Sequence, residues 1–316
     1  MENFSYLASE MKYHALALIV VAIWGITFVC TKVLIGAGLL PAQIFAIRFA
    51  IAYLGIWLLC CRRSADRRLL SDNLKDEAVF ILLGISGGSF YFLTENTALA
   101  HTQACNVSFI VCSAPLITAI FSILIKKSCK GELADSLEDI SGRWQLLAGT
   151  VLALCGMAAV TFDGNALEFS AKGDLLALCS AFCWGIYSIF MGRMTVKYGS
   201  LLATRKVFFY GLLTIIPFIA GRELDHSILL QPQVLGNLLF LSVLASLVCF
   251  VLWNKAMVGL GNITATNYVY LNPLFTLFFA MILLGERLTV QSAIGCAAIL
   301  IGVVLSGMDF HHKGRE

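Results

Sequence analysis

Charge is what this chain has least of. Asp, Glu, Lys and Arg make up 13% of its 316 residues, where a soluble domain carries about 25%. With 59% hydrophobic residues, too little polar surface exists to clothe a soluble globule, so the composition indicates a polytopic membrane protein. Enzyme signatures are missing as well. There is no HExxH, no GxSxG and no phosphate-binding loop, which leaves no catalytic residue to name. The 11 cysteines include no CxxC pair and no Cys/His spacing suited to zinc, so no metal or cofactor is expected. Most of them (Cys30, Cys105, Cys112, Cys155, Cys179, Cys183, Cys249, Cys296) lie in apolar runs, where a thiol behaves as a small hydrophobe. His14, His101 and His226 are isolated, and His311-His312 sits in a short tail. A cleavable leader is not expected, because Met1–Met11 is polar and Ala15–Ile35 is too long for the core of one and lacks a cleavage site.

What the chain does have is long apolar runs. A span needs roughly 20 apolar residues, and the sequence reads as ten of them, near 14–35, 41–60, 78–99, 102–125, 144–162, 174–192, 204–220, 234–256, 263–284 and 289–308. Placing the amino terminus inside puts most of the 22 Lys and Arg on one side, in segments such as Arg62–Lys75, Lys126–Arg143 and Arg193–Lys206. The opposite loops hold only Lys172, Arg222 and Arg287, and Lys32 and Arg48 fall within spans. That bias predicts both termini in the cytoplasm. The basic residues are scattered over separate segments, which excludes a nucleic-acid surface. The insert Leu133–Ser141 is acidic and reads as a solvated loop.

Two runs organise the rest. Thr102–Ile125 carries Pro115 near its middle and Asn262–Leu284 carries Pro273 near its middle. A mid-helix proline removes one backbone hydrogen bond and bends the helix. In a bilayer the freed carbonyl must be covered by protein or face a wet cavity. Aligning the prolines also aligns Leu116 with Leu274 and Thr118 with Thr276. Trp24-Gly25-Ile26 repeats as Trp184-Gly185-Ile186, and Asn96-x-Ala98 as Asn254-x-Ala256. Gln145, Gly149 and Gly156 repeat as Gln291, Gly295 and Gly302. The chain therefore reads as two repeats, 12–165 and 170–310, of five spans each. An odd number of spans gives the second repeat the opposite orientation in the membrane. The expected fold is an all-α membrane protein of ten transmembrane helices in two inverted five-helix repeats. Paired broken helices in inverted repeats point to a transporter site near the midplane.

The residues carry a resemblance. Ala22-x-Trp24-Gly25-x2-Phe28-x3-Lys32, Pro41-x6-Arg48-Phe49 and Ala98-x9-Ser108-x6-Pro115 resemble the EamA-type branch of the drug/metabolite transporter superfamily. Pro273, Leu284-Gly285-Glu286-Arg287-Leu288-Thr289, Gln291, Gly295 and Gly302 add to it. The resemblance covers nearly the whole chain, and its counterpart of Gly285-Glu286 is missing after the fourth span. It implies a central cavity formed by spans one to four and six to nine, with five and ten at the periphery. It also implies secondary transport, often export, of amino acids or other small metabolites. Small multidrug transporters of the superfamily use a glutamate in their first span; Ala15–Ile35 holds no acid, so that proton mechanism does not carry over.

Candidate substrate-binding residues follow from what a bilayer tolerates. Lys32, Arg48 and Glu95 are ionisable groups within spans, all in the outer half, and such groups face a cavity or a partner. Glu95 could pair with Arg48 or Lys32, steer a charged substrate or exchange a coupling proton; a fixed salt bridge is the alternative. Asn96, Asn106, Asn254 and Asn267 either bind substrate or tie helices together. Trp24, Trp184, Tyr187 and Tyr270 belong to an aromatic set that could wall a binding site or simply pack. The expected partners are a small-molecule substrate and the lipid bilayer of the bacterial inner membrane, with the oligomeric state unassigned. Other readings are uptake of a sugar-like or nucleoside-like solute, or a non-transporting helical assembly.

Overall fold

The computed structural model describes residues 2–62, 68–102, 104–128, 144–161, 170–284 and 289–307. Several expectations lie outside them: the acidic insert Leu133–Ser141, Gly285-Glu286, and the tail with His311-His312. Every regular element among the described residues is helical.

α1 (Glu2–Gly36) is followed by α2 (Pro41–Cys61), which opens on proline where a missing N–H costs nothing. The Gln43 side chain caps α2 by accepting from Leu40 N at 3.0 Å. α3 (Leu74–Gly84) starts at Asn73, whose side chain accepts from Asp76 N at 2.8 Å. Asp76 and Glu77 in its first turn suit the positive helix end. α3 runs through a π-helical segment, Ile85–Ser89, into α4 (Phe90–His101). α5 (Ala104–Val111) and α6 (Ala114–Ser128) follow, then α7 (Trp144–Thr161).

The second half repeats this order. α8 (Ala171–Tyr198) and α9 (Ser200–Ile219) are separated by Gly199, whose φ of +79° only glycine adopts without strain. After the short α10 (His226–Leu229) comes α11 (Pro232–Leu239), which passes through the π-helical segment Phe240–Val248 into α12 (Cys249–Leu260). α13 (Asn262–Asn267), a 3₁₀ turn Tyr268–Leu271, α14 (Asn272–Leu284) and α15 (Val290–Gly307) complete the chain.

Among the described residues seven helices are long and apolar enough to cross a bilayer: Met11–Gly36, Pro41–Cys61, Leu74–His101, Asn106–Ser128, Ala171–Tyr198, Ser200–Ile219 and Pro232–Leu260. Trp144–Ala159 and Ala293–Ser306 are apolar but shorter. The run expected as one span at 263–284 is instead broken by the 3₁₀ turn ahead of Pro273. The run at 102–125 is broken at Cys112-Ser113, ahead of Pro115. In both places the break lies in the turn before the proline, where its missing N–H leaves the carbonyl four residues earlier without its α-helical bond.

Two glycine contacts fix how the halves meet. A Cβ added at Gly149 would lie 2.5 Å from Gly302 O, and one at Gly156 would lie 2.6 Å from Gly295 O. The rising number therefore meets the falling number, so α7 and α15 cross antiparallel with their backbones in contact, as small residues permit. The other exchange is reciprocal. Gly25 of α1 packs on Asn272, Phe275 and Thr276 of α14, and its sequence mate Gly185 packs on Ile117 and Thr118 of α6. Outward faces of the helices stay apolar: Leu54, Leu58, Leu147, Leu213, Ile294, Ile301 and Val304 are all exposed. On a soluble monomer so much apolar surface would be anomalous; against lipid tails it is the expected exterior.

Candidate functional site

Between the halves lies a small cavity lined by residues of both. Its base is aromatic. Trp24 and Trp184, one from each half, meet edge to face with ring centroids 5.3 Å apart. Trp253 stacks obliquely on Trp24 at 5.0 Å, and Tyr91 and Tyr187 flank Trp184 at 5.2 and 5.1 Å. Trp24, Tyr91 and Trp184 reach the cavity wall together with Phe28, Phe92 and Phe250.

Four polar side chains join that wall: Thr27, Arg48, Glu95 and Asn272. Arg48, Glu95 and Asn272 are almost fully buried, at 3%, 4% and 4% exposure. Arg48 is held from both halves. Its Nε donates to Ser246 Oγ at 2.5 Å, and its guanidinium lies 4.6 Å from the centre of the Phe92 ring. Among the described residues no ion pair joins Arg48 to Glu95, although both face the same space. Glu95 is instead hydrogen-bonded by Tyr91, and it interacts with Arg48 electrostatically.

The helix breaks contribute too. Proline has no N–H to give the carbonyl four residues earlier. For Pro115 and Pro273 those residues are Val111 and Val269, and both line the cavity. The prolines themselves are buried. Cys112 Sγ reaches the Val269 carbonyl at 3.4 Å, a weak replacement for the lost bond. Val269 O also accepts from Asn272 N, so of the two it is the Val111 carbonyl that the break frees at the site.

The other candidates lie off this wall. Lys32 is exposed at the helix end and its Nζ donates to Thr102 O at 2.8 Å, so it does not join Glu95. Asn96 Nδ2 donates to Pro41 O at 3.2 Å, tying α4 to the start of α2. Asn254 is the hub of a buried triad: Tyr187 OH donates to its Oδ1 at 2.7 Å and its Nδ2 donates to Thr204 Oγ1 at 2.8 Å. Asn106 Nδ2 reaches Thr102 Oγ1 at 3.4 Å. Asn267 is buried with neither amide atom partnered among the described residues, and Tyr270 is fully buried in the 3₁₀ turn. Sequence reasoning passed over Asn272, Ser246 and Thr27. Asn272 immediately precedes Pro273, and that adjacency was the available signal. Ser246 had none, because its role depends on a π-helical segment that no motif announces. No cluster of three metal-ligating side chains occurs among the described residues.

Comparison with known proteins agrees with this architecture. A solved crystal structure superposes with a TM-score of 0.69 over 95% of this chain and 96% of that one, at 15% identity, which relates the folds. A protein of Archaeoglobus fulgidus named an uncharacterized transporter is 27% identical over 303 residues, covering 95% of this chain and 99% of that protein. A protein of Escherichia coli K12 named a probable amino-acid metabolite efflux pump is 26% identical over 305 residues, covering 93% and 94%. The profile of the EamA-like transporter family matches twice, at residues 11–129 and 171–308. The two matches fall on the two halves that exchange helices around the cavity, and together they span most of the chain. This multi-pass membrane protein is a transporter rather than an enzyme, and it belongs to the EamA-like transporter family.

Proposed function

We propose that the protein is a secondary transporter that exports small organic metabolites, amino acids foremost, across the inner membrane by alternating access. The observation that carries this reading is the pair of opposite charges, Arg48 and Glu95, buried on one cavity wall without an ion pair between them. Burying an unpaired charge is costly, and a zwitterion satisfies both at once, its carboxylate on Arg48 and its ammonium on Glu95. The Val111 carbonyl, which Pro115 cannot bond, suits the ammonium end, and the aromatic base suits an apolar side chain.

In this reading residues 12–165 and 170–310 are inverted repeats of five spans, ten in all, with both termini in the cytoplasm. The antiparallel crossing of α7 and α15 supports it. The cavity then opens from the Trp24/Trp184 pair toward the outer face, since Thr27, Phe28, Arg48 and Glu95 all lie on that side. The inner side is closed by the Tyr187–Asn254–Thr204 triad and by Asn262 Nδ2 donating to Ile189 O at 3.3 Å. The sequence mates of Tyr187 and Asn254 are Thr27 and Asn96. Those two are not bonded to each other; Thr27 Oγ1 donates to Trp24 O and Asn96 to Pro41 O. Inner and outer gates therefore occupy equivalent positions, one bonded and one open. Glu95 is the group through which a coupling proton would pass.

The test is flux of labelled amino acids from proteoliposomes, with and without a pH gradient. Glu95→Gln keeps the size of the side chain and removes its charge. Normal folded yield with flux lowered at least tenfold is the expected result. Unchanged flux from that variant, or no amino-acid flux from the wild type, would sink the reading.

A further inference from the structure

Trp24 and Trp184 are sequence mates, yet only one of them is satisfied. Trp24 Nε1 donates to Ala245 O at 3.0 Å. Trp184 Nε1 is buried with no partner among the described residues, and its side chain stands in the cavity wall. An N–H left this way is destabilising.

The repeats differ at this point. Ala245 lies in the π-helical segment Phe240–Val248, and π-segments shift the hydrogen-bond register and recur at functional sites. The first half has its own π-helical segment, Ile85–Ser89, in which Gly87 aligns with Ala245. There the Tyr187 ring packs against Gly87, its Cδ2 too close to leave room for a Cβ, and Trp184 makes no bond to match that of Trp24. Thr27 occupies the position of Tyr187 in the other repeat. Trp253 Nε1 is also unpartnered but is not on the wall. Asn272 Oδ1 is likewise unpartnered among the described residues and is on the wall.

We propose that the Trp184 indole N–H is the donor that hydrogen-bonds the transported molecule and makes an acceptor group on it, the carboxylate of an amino acid, a condition of binding. Trp24 shapes the wall with its own N–H committed to the protein. This rests on the transport reading of the cavity and assigns one atom a role within it.

Thermal shifts of the purified full-length protein with each of the twenty amino acids supply the probe. The amino acid that stabilises it most is then compared with the amine that remains when its carboxylate is removed. The amino acid is expected to bind the wild type at least tenfold more tightly than that amine. Trp184→Phe should lower affinity for the amino acid about tenfold or more while the ligand-free protein melts at or above the wild-type temperature, because an unmet donor has gone. Trp184→His, which keeps a ring N–H, should recover part of the loss. Trp24→Phe should lower the ligand-free melting temperature, since it breaks a bond already made. Wild-type affinity in Trp184→Phe overturns the proposal alone, and so does an amine that binds the wild type as tightly as its amino acid. A wild type that no amino acid stabilises and that moves none overturns the proposal together with the function.

Discussion

Lys206 is 3% exposed, and Glu77 is what makes that burial tolerable. Its Nζ donates to both Glu77 oxygens, at 2.7 and 2.9 Å, and to Leu69 O at 2.9 Å. Beside it, Asp76 accepts from Lys197 at 2.5 Å and from Tyr198 at 2.6 Å. These bonds join the start of α3 to the ends of α8 and α9. Removing one partner of a buried pair strands the other charge and costs about 3–5 kcal/mol, whereas replacing both can be close to neutral. Glu77→Ala should therefore melt far below the wild type, and Glu77→Gln combined with Lys206→Met should recover most of the loss. A thermal double-mutant cycle reads this directly; a mild effect in Glu77→Ala would show that water reaches Lys206. Single residues were only half legible in the sequence. Arg48 and Glu95 stood out because charge is rare in these spans. The repeat of Asn96 as Asn254 was visible, but not its use, because an amide that binds a ligand and one that ties helices have the same spacing. The partners decide, and Tyr187, Thr204 and Pro41 come from distant positions.

At the scale of elements, prolines and glycines were readable and π-helical segments were not. Pro115 and Pro273 located both breaks because proline lacks an N–H, a property of the residue itself. The glycines of α7 and α15 announced close packing through their seven-residue spacing on one helix face. The segments Ile85–Ser89 and Phe240–Val248 came without such a mark. The second contains neither proline nor glycine, and its register shift arises from packing against other helices. At 263–284 the proline marked the break but not its form: neither apolar length nor Pro273 registers the 3₁₀ turn Tyr268–Leu271. The α7–α15 contact offers a clean test of the element reading. A Cβ at Gly302 would lie 2.6 Å from Gly149 O and 2.6 Å from Ala153 N. Both are backbone atoms, so neither can swing aside. Gly302→Val should cost about 1–3 kcal/mol or more from overpacking, seen as a lower melting temperature. Gly36→Val, where the added atoms meet nothing, should cost little by comparison. Equal losses in the two variants would mean that the α7–α15 seam contributes no close packing.

For the whole molecule, the proposed alternation would follow from near-symmetry that is imperfect at the proposed gates. Gly25 on α14 and Gly185 on α6 are equivalent contacts, and in the proposed transport cycle the halves would exchange roles by rocking. The contacts that differ are the ones that distinguish the two faces. On one side Tyr187 and Asn254 are hydrogen-bonded; on the other, Thr27 borders the cavity and Asn96 is turned to Pro41. Alternating access requires the first pair to part as the second closes, and it places a substrate between them in each state. Paired cysteines in a background without native thiols test this. Tyr187→Cys with Asn254→Cys should cross-link readily in the unliganded protein and stop flux, leaving the cavity open to membrane-impermeant reagents from outside. Thr27→Cys with Asn96→Cys should cross-link only as the protein cycles, more slowly without substrate and faster with it, and should then shield the cavity from the same reagents. Reduction should restore flux in both. If the Thr27/Asn96 pair never cross-links under turnover while flux continues, the two gates do not alternate and the rocking of the repeats is not how the cavity changes sides.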